Sequence, residues 1–211
     1  VREAGGSVST TAQRVGAANT LTVDPDGTLT ADNTDVRGVR LPLERHGGVR
    51  DRNVAVLGAG GAARAAAVAV LEAGAEVEII NRNPDRAVTL VDELRSTIGS
   101  GARVAAGTLR HDESTPYDVI INTTPVGMAG GPDPEASPWS RLGGSRSALG
   151  PARTVFDMVY APRETPLIRD AREAGATVIT GDEMFLAQAA AQFKRWTGSP
   201  PPLEQWIRLL A

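Results

Sequence analysis

Three glycines at one turn carry the clearest chemistry in the sequence. Gly58, Gly60 and Gly61 follow the apolar run Val54 to Leu57 and precede an alanine-rich segment, Ala62 to Glu72. A pyrophosphate must come close to the backbone and rest on the open N–H groups of a helix N-terminus, and glycine permits that approach. Alone, a Gly-x-Gly is a weak signal, and a tight turn without ligand is the plain alternative. Here it lies between an apolar strand and a helix-forming segment. Gly74 stops that helix, and a second apolar run, Val77 to Ile80, follows. The spacing predicts a βαβ unit over 53–83 that binds a dinucleotide.

The tip of the second strand bears on which dinucleotide. An NAD site usually places Asp or Glu about 20 residues after the glycines, on the ribose 2′-hydroxyl. This chain has Asn81 and Arg82 there, with Arg86 a turn into the next segment. A carboxylate repels a 2′-phosphate, whereas a guanidinium pairs with it. NADP(H) is therefore expected over NAD(H); two solvated surface arginines are the plain alternative.

Further elements must position these groups. Apolar runs near 103–105, 117–122, 154–158 and 177–180 read as strands. Segments 84–98, 165–174, 182–196 and 203–210 read as helices. Strands alternating with helices predict an α/β fold, a Rossmann-type doubly wound parallel sheet with helices on both faces. Ligands in such sheets bind beyond the strand C-termini. The tips 58–61, 81–82, 122–128, 158–160 and Gly181 are expected to line one crevice.

Ahead of this unit, Asp24-Pro25-Asp26-Gly27 between 18–23 and 28–31 predicts a β-hairpin. Thr34 or Asp35 is placed to cap a short helix, whose regularity Pro42 limits. Gly47-Gly48 marks a linker. Residues 1–16 read as a loop or poorly ordered start, and 129–151 as a long loop.

Composition narrows the class. The 211 residues are 41% hydrophobic, carry a net charge of −3 and contain no cysteine. Disulfides, thiolate catalysis and cysteine metal sites are thereby excluded. No metal-ligand pattern is evident, and His46 and His111 read as surface residues. The lack of a dense basic patch argues against nucleic acid. No run approaches the ~18 apolar residues of a membrane span, and no signal peptide is evident, so a cytoplasmic location is expected. The chain begins at Val1 rather than Met, so a fragment or excised domain is expected. The 22 basic residues include a single lysine, Lys194.

Seven motifs occur in order: GAANTL (16–21), NTDVRG (33–38), GAGGAAR (58–64), NRNPDR (81–86), INTTPVGM (121–128), FDMVYAPRETPL (156–167) and GDEMFLAQAAAQF (181–193). Together they closely resemble the shikimate dehydrogenase family, over its C-terminal two-thirds. The resemblance implies NADPH-dependent reduction of 3-dehydroshikimate to shikimate, in the aromatic amino-acid pathway. It implies a division into the end of a smaller α/β substrate domain (1–48), an NADP-binding Rossmann domain (49–181) and closing helices (182–211).

By motif, Asn19 and Asp35 match the substrate-binding Asn and the catalytic Asp. Tyr160 and Gln188 match residues that contact the substrate. Gly58, Gly60, Gly61 and Ala62 match the pyrophosphate loop. Asn81, Arg82 and Arg86 match the adenosine-phosphate contacts, with Asn83 where the family often has Thr. Thr123, Met158 and Gly181 match positions around the ribose and nicotinamide. Without the motifs, Asp35 reads as a helix cap and Gln188 as a helix-packing hydrogen bond.

The family's Asp works with a lysine that shuttles a proton to the substrate oxygen. Neither that lysine nor the Ser-x-Ser segment that holds the substrate carboxylate is among these residues. Lys194 lies six positions past Gln188, and at about 100° per residue it points some 120° away from it. Arginine holds its proton too tightly to substitute. The resemblance thus implies a cofactor half-site with part of a substrate half-site, poorly active alone, whose partner is a missing or fused N-terminal domain. Self-association through apolar surface around the hairpin is also expected. Two alternatives remain open: a quinate/shikimate dehydrogenase with NAD or dual cofactor use, and a non-catalytic ligand-sensing module of the same fold.

Overall fold

The computed structural model describes residues 1, 5–109 and 116–210. Numbered in chain order, the strands are β1 (Ser7–Val8), β2 (Thr20–Val23), β3 (Leu29–Asp32), β4 (Asn53–Leu57), β5 (Glu76–Ile80), β6 (Val104–Gly107), β7 (Val119–Asn122), β8 (Thr154–Asp157) and β9 (Thr177–Ile179). The helices are α1 (Thr10–Val15), α2 (Asp35–Arg45), α3 (Gly61–Glu72), α4 (Pro84–Ile98), α5 (Pro138–Arg141), α6 (Pro166–Glu173), α7 (Gly181–Thr197) and α8 (Leu203–Leu210).

Six strands form one sheet in the order β6-β5-β4-β7-β8-β9, all parallel. A parallel sheet covered on both faces needs strands that are apolar throughout. In β4, Val54 to Leu57 are all fully buried. Val54 and Val56 pack with the alanines of α3 and with Leu90 and Leu94 of α4. Ala55 and Leu57 pack on the other face with Trp139, Leu149 and Leu167. The expected doubly wound α/β sheet is therefore present. The order reverses between β4 and β7, the switch point where such sheets open a crevice.

The hairpin forms as expected, with β2 and β3 antiparallel. The start of the chain departs from expectation. Ser7–Val8 pairs parallel with β3, and Thr10–Val15 is helical rather than loop. Ser9 caps this helix, its Oγ accepting from Ala12 N at 3.1 Å while its hydroxyl donates to Asp32. Ala12 and Val15 are buried. The segment is too short and polar to show a period, and its order comes from pairing with distant residues.

Two smaller departures follow the same logic. α2 runs through Pro42 to Arg45. The 129–151 stretch contains α5 and a 3-10 turn, Arg146–Leu149, anchored by the buried Trp139. α2 packs most extensively on α7. A Cβ on Gly38 would meet Gln188 Cβ at 3.0 Å and Met184 O at 3.1 Å, so glycine there lets the two helices touch.

Candidate functional site

The glycine turn joins the end of β4 to the start of α3. Gly58 N donates to Ile80 O at 2.8 Å, tying the turn to the neighbouring strand. Gly58 sits at φ +114°, and a Cβ there would lie 2.6 Å from Thr123 Oγ1. Thr123 Oγ1 itself donates to Leu57 O at 2.7 Å. Gly60 and Gly61 are exposed, and a Cβ on either would meet nothing within 4 Å. Gly60 caps α3 and has no side chain to bond its N–H groups; α2, α5 and α7 likewise lack a side-chain cap bond, whereas Ser9, Asn83 and Thr165 cap their helices with side-chain oxygens. The first N–H groups of α3, at the positive end of its dipole, thus have no side-chain acceptor. This arrangement fits a pyrophosphate.

At the tip of β5, Asn81 Nδ2 donates to Asn83 O at 2.9 Å, and Asn83 Oδ1 accepts from Asp85 N at 3.0 Å. Arg82 and Arg86 are exposed and enter no ion pair among the described residues. Both guanidiniums are available to an external anion.

Past the tips of β7 and β8 opens a cavity of about 720 Å³. Its wall brings together Asn19, Asp35, Ala62, Thr123, Met158, Tyr160 and Gln188. The remaining predicted residues do not line it. Gly58 lies behind Thr123, and Gly181 is buried against the Val159 carbonyl. Asn81, Arg82 and Arg86 stand on the next strand tip. The tips of β7 and β8 and the start of α3 thus meet at this cavity, while the β5 tip stands on the other side of β4.

At the far side of the cavity Asn19 and Asp35 form a fixed pair. Asn19 Oδ1 accepts from Thr20 Oγ1 at 2.8 Å, Thr34 N at 2.9 Å and Thr34 Oγ1 at 3.1 Å. This sets the amide so that Nδ2 donates to Asp35 Oδ1 at 2.8 Å. Burial pushes the Asp35 carboxyl above its ordinary range, and the Asn19 bond partly offsets it. An acid raised toward neutral pH is better matched to proton transfer.

Lys194 lines a different groove, of about 1030 Å³, between α2, α7 and α8, while Gln188 faces the cavity. The helical geometry argued from sequence is thus observed. His46 is half-buried, with Nε2 3.3 Å from Glu183 Oε2, and is a helix-packing residue rather than a plain surface one. His111 lies outside the described residues. No cluster of three metal-binding side chains occurs among the described residues, and no helix there is long and apolar enough to cross a membrane.

The structure adds groups that sequence reasoning missed. Met184, Phe185 and Gln192 also line the cavity, and Phe185 stacks on Tyr160 with ring centroids 5.3 Å apart. Their spacing with Gln188, three to four residues apart on α7, is the helical signal that would have found them. Behind the wall lies Asp157, with no exposed surface. Its Oδ1 accepts from Asn122 Nδ2 at 2.8 Å and Val159 N at 3.0 Å, and its Oδ2 from Thr165 Oγ1 at 2.7 Å.

Burial pushes the Asp157 carboxyl up to about 6, against the three donors that favour its charge. The folded state thus holds this proton more tightly than the unfolded chain, where the ordinary value is 3.8. Asp157 therefore weakens folding as pH rises from about 4 to about 6, and has no such effect below 4. Relative to Asp157→Asn, the wild-type chain should lose on the order of 3 kcal/mol of stability across that window. Urea unfolding at several pH values measures it; a pH-independent difference between the two proteins would contradict it.

Comparison with known proteins agrees with this geometry. A family model described as "Shikimate / quinate 5-dehydrogenase" matches residues 40–124, and one described as "Shikimate 5'-dehydrogenase C-terminal domain" matches 181–208. A shikimate dehydrogenase (NADP(+)) of Chlorobium phaeovibrioides is 39% identical over 207 residues, covering 94% of this chain and 68% of the relative. A crystal structure of shikimate dehydrogenase in complex with NADP+ superposes with a TM-score of 0.85 at 33% identity, over 97% of this chain and 69% of that one. Quinate dehydrogenase from Corynebacterium glutamicum in complex with NAD gives 0.83 at 30% identity, over 97% and 70%. The chain spans about two thirds of the length of the curated relatives it matches. On these sequence and structural matches together, the chain belongs to the shikimate dehydrogenase family.

Proposed function

We propose that this chain binds NADP(H) and serves the reversible reduction of 3-dehydroshikimate to shikimate. The observation that carries the proposal is the Asn19–Asp35 pair facing the loops of β7 and β8 across one cavity. Bound NADP(H) supplies the hydride. Gly58, Gly60, Gly61 and Ala62 receive the pyrophosphate at the uncapped start of α3. Arg82 and Arg86 pair with the 2′-phosphate, beside Asn81. Thr123, Met158 and Gly181 shape the ribose and nicotinamide end. Asn19, Tyr160 and Gln188 hold the substrate, and Asp35 takes part in proton transfer at its carbonyl oxygen. In this reading residues 1–48 end a substrate domain, 49–181 form the cofactor domain, and 182–211 close over the cleft.

Quinate oxidation with NAD is the competing reading, supported by the likeness to the quinate dehydrogenase. The free guanidinium at the β5 tip weighs against it, because NAD offers no phosphate there. Arg82→Ala should weaken NADPH binding by about tenfold or more, the size of a charge-assisted contact, and leave NADH binding unchanged. Fluorescence titration with both nucleotides measures this. Equal losses for the two, or none for NADPH, would remove Arg82 from the phosphate site.

A further inference from the structure

Asp157 is a buried carboxyl that none of the proposed chemistry uses. It sits at the C-terminal end of β8 and reaches three separate pieces of chain. Through Asn122 it touches the end of β7. The other face of Asn122 is committed too, its Oδ1 accepting from Thr124 N at 2.9 Å and Thr124 Oγ1 at 2.7 Å. Through Val159 N it bends the start of the loop after β8. Through Thr165 it fixes the start of α6, since Thr165 Oγ1 donates to Asp157 while accepting from Ile168 N at 3.2 Å. Every partner of the carboxyl is a donor, so the network matches a carboxylate without an orphaned group. The two loops it joins supply both Thr123 and Thr124 on one side of the cavity and Met158 to Ala161 on the other. Asp157 itself is absent from the cavity wall.

We infer that Asp157 is a positioning residue for the cofactor, holding the loops after β7 and β8 at the separation that admits the nicotinamide end of the dinucleotide. The inference rests on the NADP(H) reading above. A buried acceptor shared by three donors is costly to remove, because the Val159 N–H and the Thr165 hydroxyl are left unpaired in a dry site and Asn122 Nδ2 keeps only its long contacts to Thr124 O and Val126 O, at 3.4 and 3.5 Å. The loops then relax apart at the point where ligand contacts are made, and small displacements there are felt strongly in binding.

The test is the NADPH dissociation constant together with the thermal midpoint, for Asp157→Ala, Thr165→Val and Asp157→Asn. Asp157→Ala and Thr165→Val should each weaken NADPH binding on the order of tenfold, measured well below their midpoints. Asp157→Asn should recover most of that loss, because its amide oxygen still accepts from Asn122 and Val159 while its amide N–H₂ turns to the Thr165 hydroxyl. If Asp157→Ala does not fold, Thr165→Val, nearly isosteric with the wild type, carries the test. A lowered midpoint with NADPH affinity within twofold of wild type would make the network purely structural and overturn the inference. Failure of the wild-type chain to bind NADPH would instead overturn the NADP(H) reading, and the inference with it.

Discussion

Gly58→Ala is expected to weaken NADPH binding on the order of a hundredfold. The residue sits at φ +114°, where any side chain is strained by roughly 1–3 kcal/mol. Its Cβ would lie 2.6 Å from Thr123 Oγ1 and 3.1 Å from Thr124 Cγ2. Thr123 cannot move aside cheaply, because its hydroxyl and its N–H both bond to Leu57 O. The turn must therefore shift, carrying the start of α3 away from the pyrophosphate. Each tenfold loss corresponds to about 1.4 kcal/mol, so partial loss of the phosphate contacts accounts for the size. Gly60→Ala is the control, since its Cβ meets nothing and its φ of −100° suits alanine. That variant should keep wild-type stability, and any affinity it loses reports the approach of the ligand itself. Calorimetric titration of both variants distinguishes these cases. Wild-type affinity in Gly58→Ala would show that the turn is only a turn.

The second large effect is on turnover. These 211 residues should bind NADPH as tightly as a longer relative does, yet reduce 3-dehydroshikimate some 10²–10⁴-fold more slowly, the usual contribution of a general acid–base group. Asp35 faces the cavity, hydrogen-bonded to Asn19, with its carboxyl raised above the ordinary range by burial. The cavity nevertheless presents no lysine, and Lys194 faces the separate groove between α2, α7 and α8. The arginines on these helices hold their protons too firmly to serve. Side-by-side steady-state assays with a longer relative measure the difference. Comparable kcat in the two proteins would show that Asp35 needs no lysine for the proton step.

The glycine turn and the flanking strands were legible because they are local. Val54 to Leu57, Gly58 to Gly61 and Ala62 to Glu72 each declare a strand, a turn and a helix within a few residues, and the structure follows to within a residue. β1 and α1 were not legible, since Ser7–Val8 becomes a strand only by pairing with Thr30 and Ala31. The same holds for Asp157. In sequence it is one acid at the end of an apolar run, and its partners Asn122 and Thr165 are 35 and 8 residues away. Nothing local distinguishes it from a solvated aspartate. For Asp35 and Gln188 the residues alone read as a helix cap and a helix-packing hydrogen bond, and only their motifs pointed to a site. Their convergence depends on the close crossing of α2 and α7 at Gly38, a tertiary contact that no periodicity encodes.

In the proposed reading one cavity joins a dinucleotide site to the Asn19–Asp35 pair. A crystal structure of the chain grown with NADP+ would show both ends of that arrangement at once. The pyrophosphate is expected on the backbone N–H groups of Gly60 to Ala62, the 2′-phosphate against Arg82, and the nicotinamide beside Met158 with one face open toward Asp35. Density for the dinucleotide elsewhere, or an empty cavity at saturating NADP+, would contradict it.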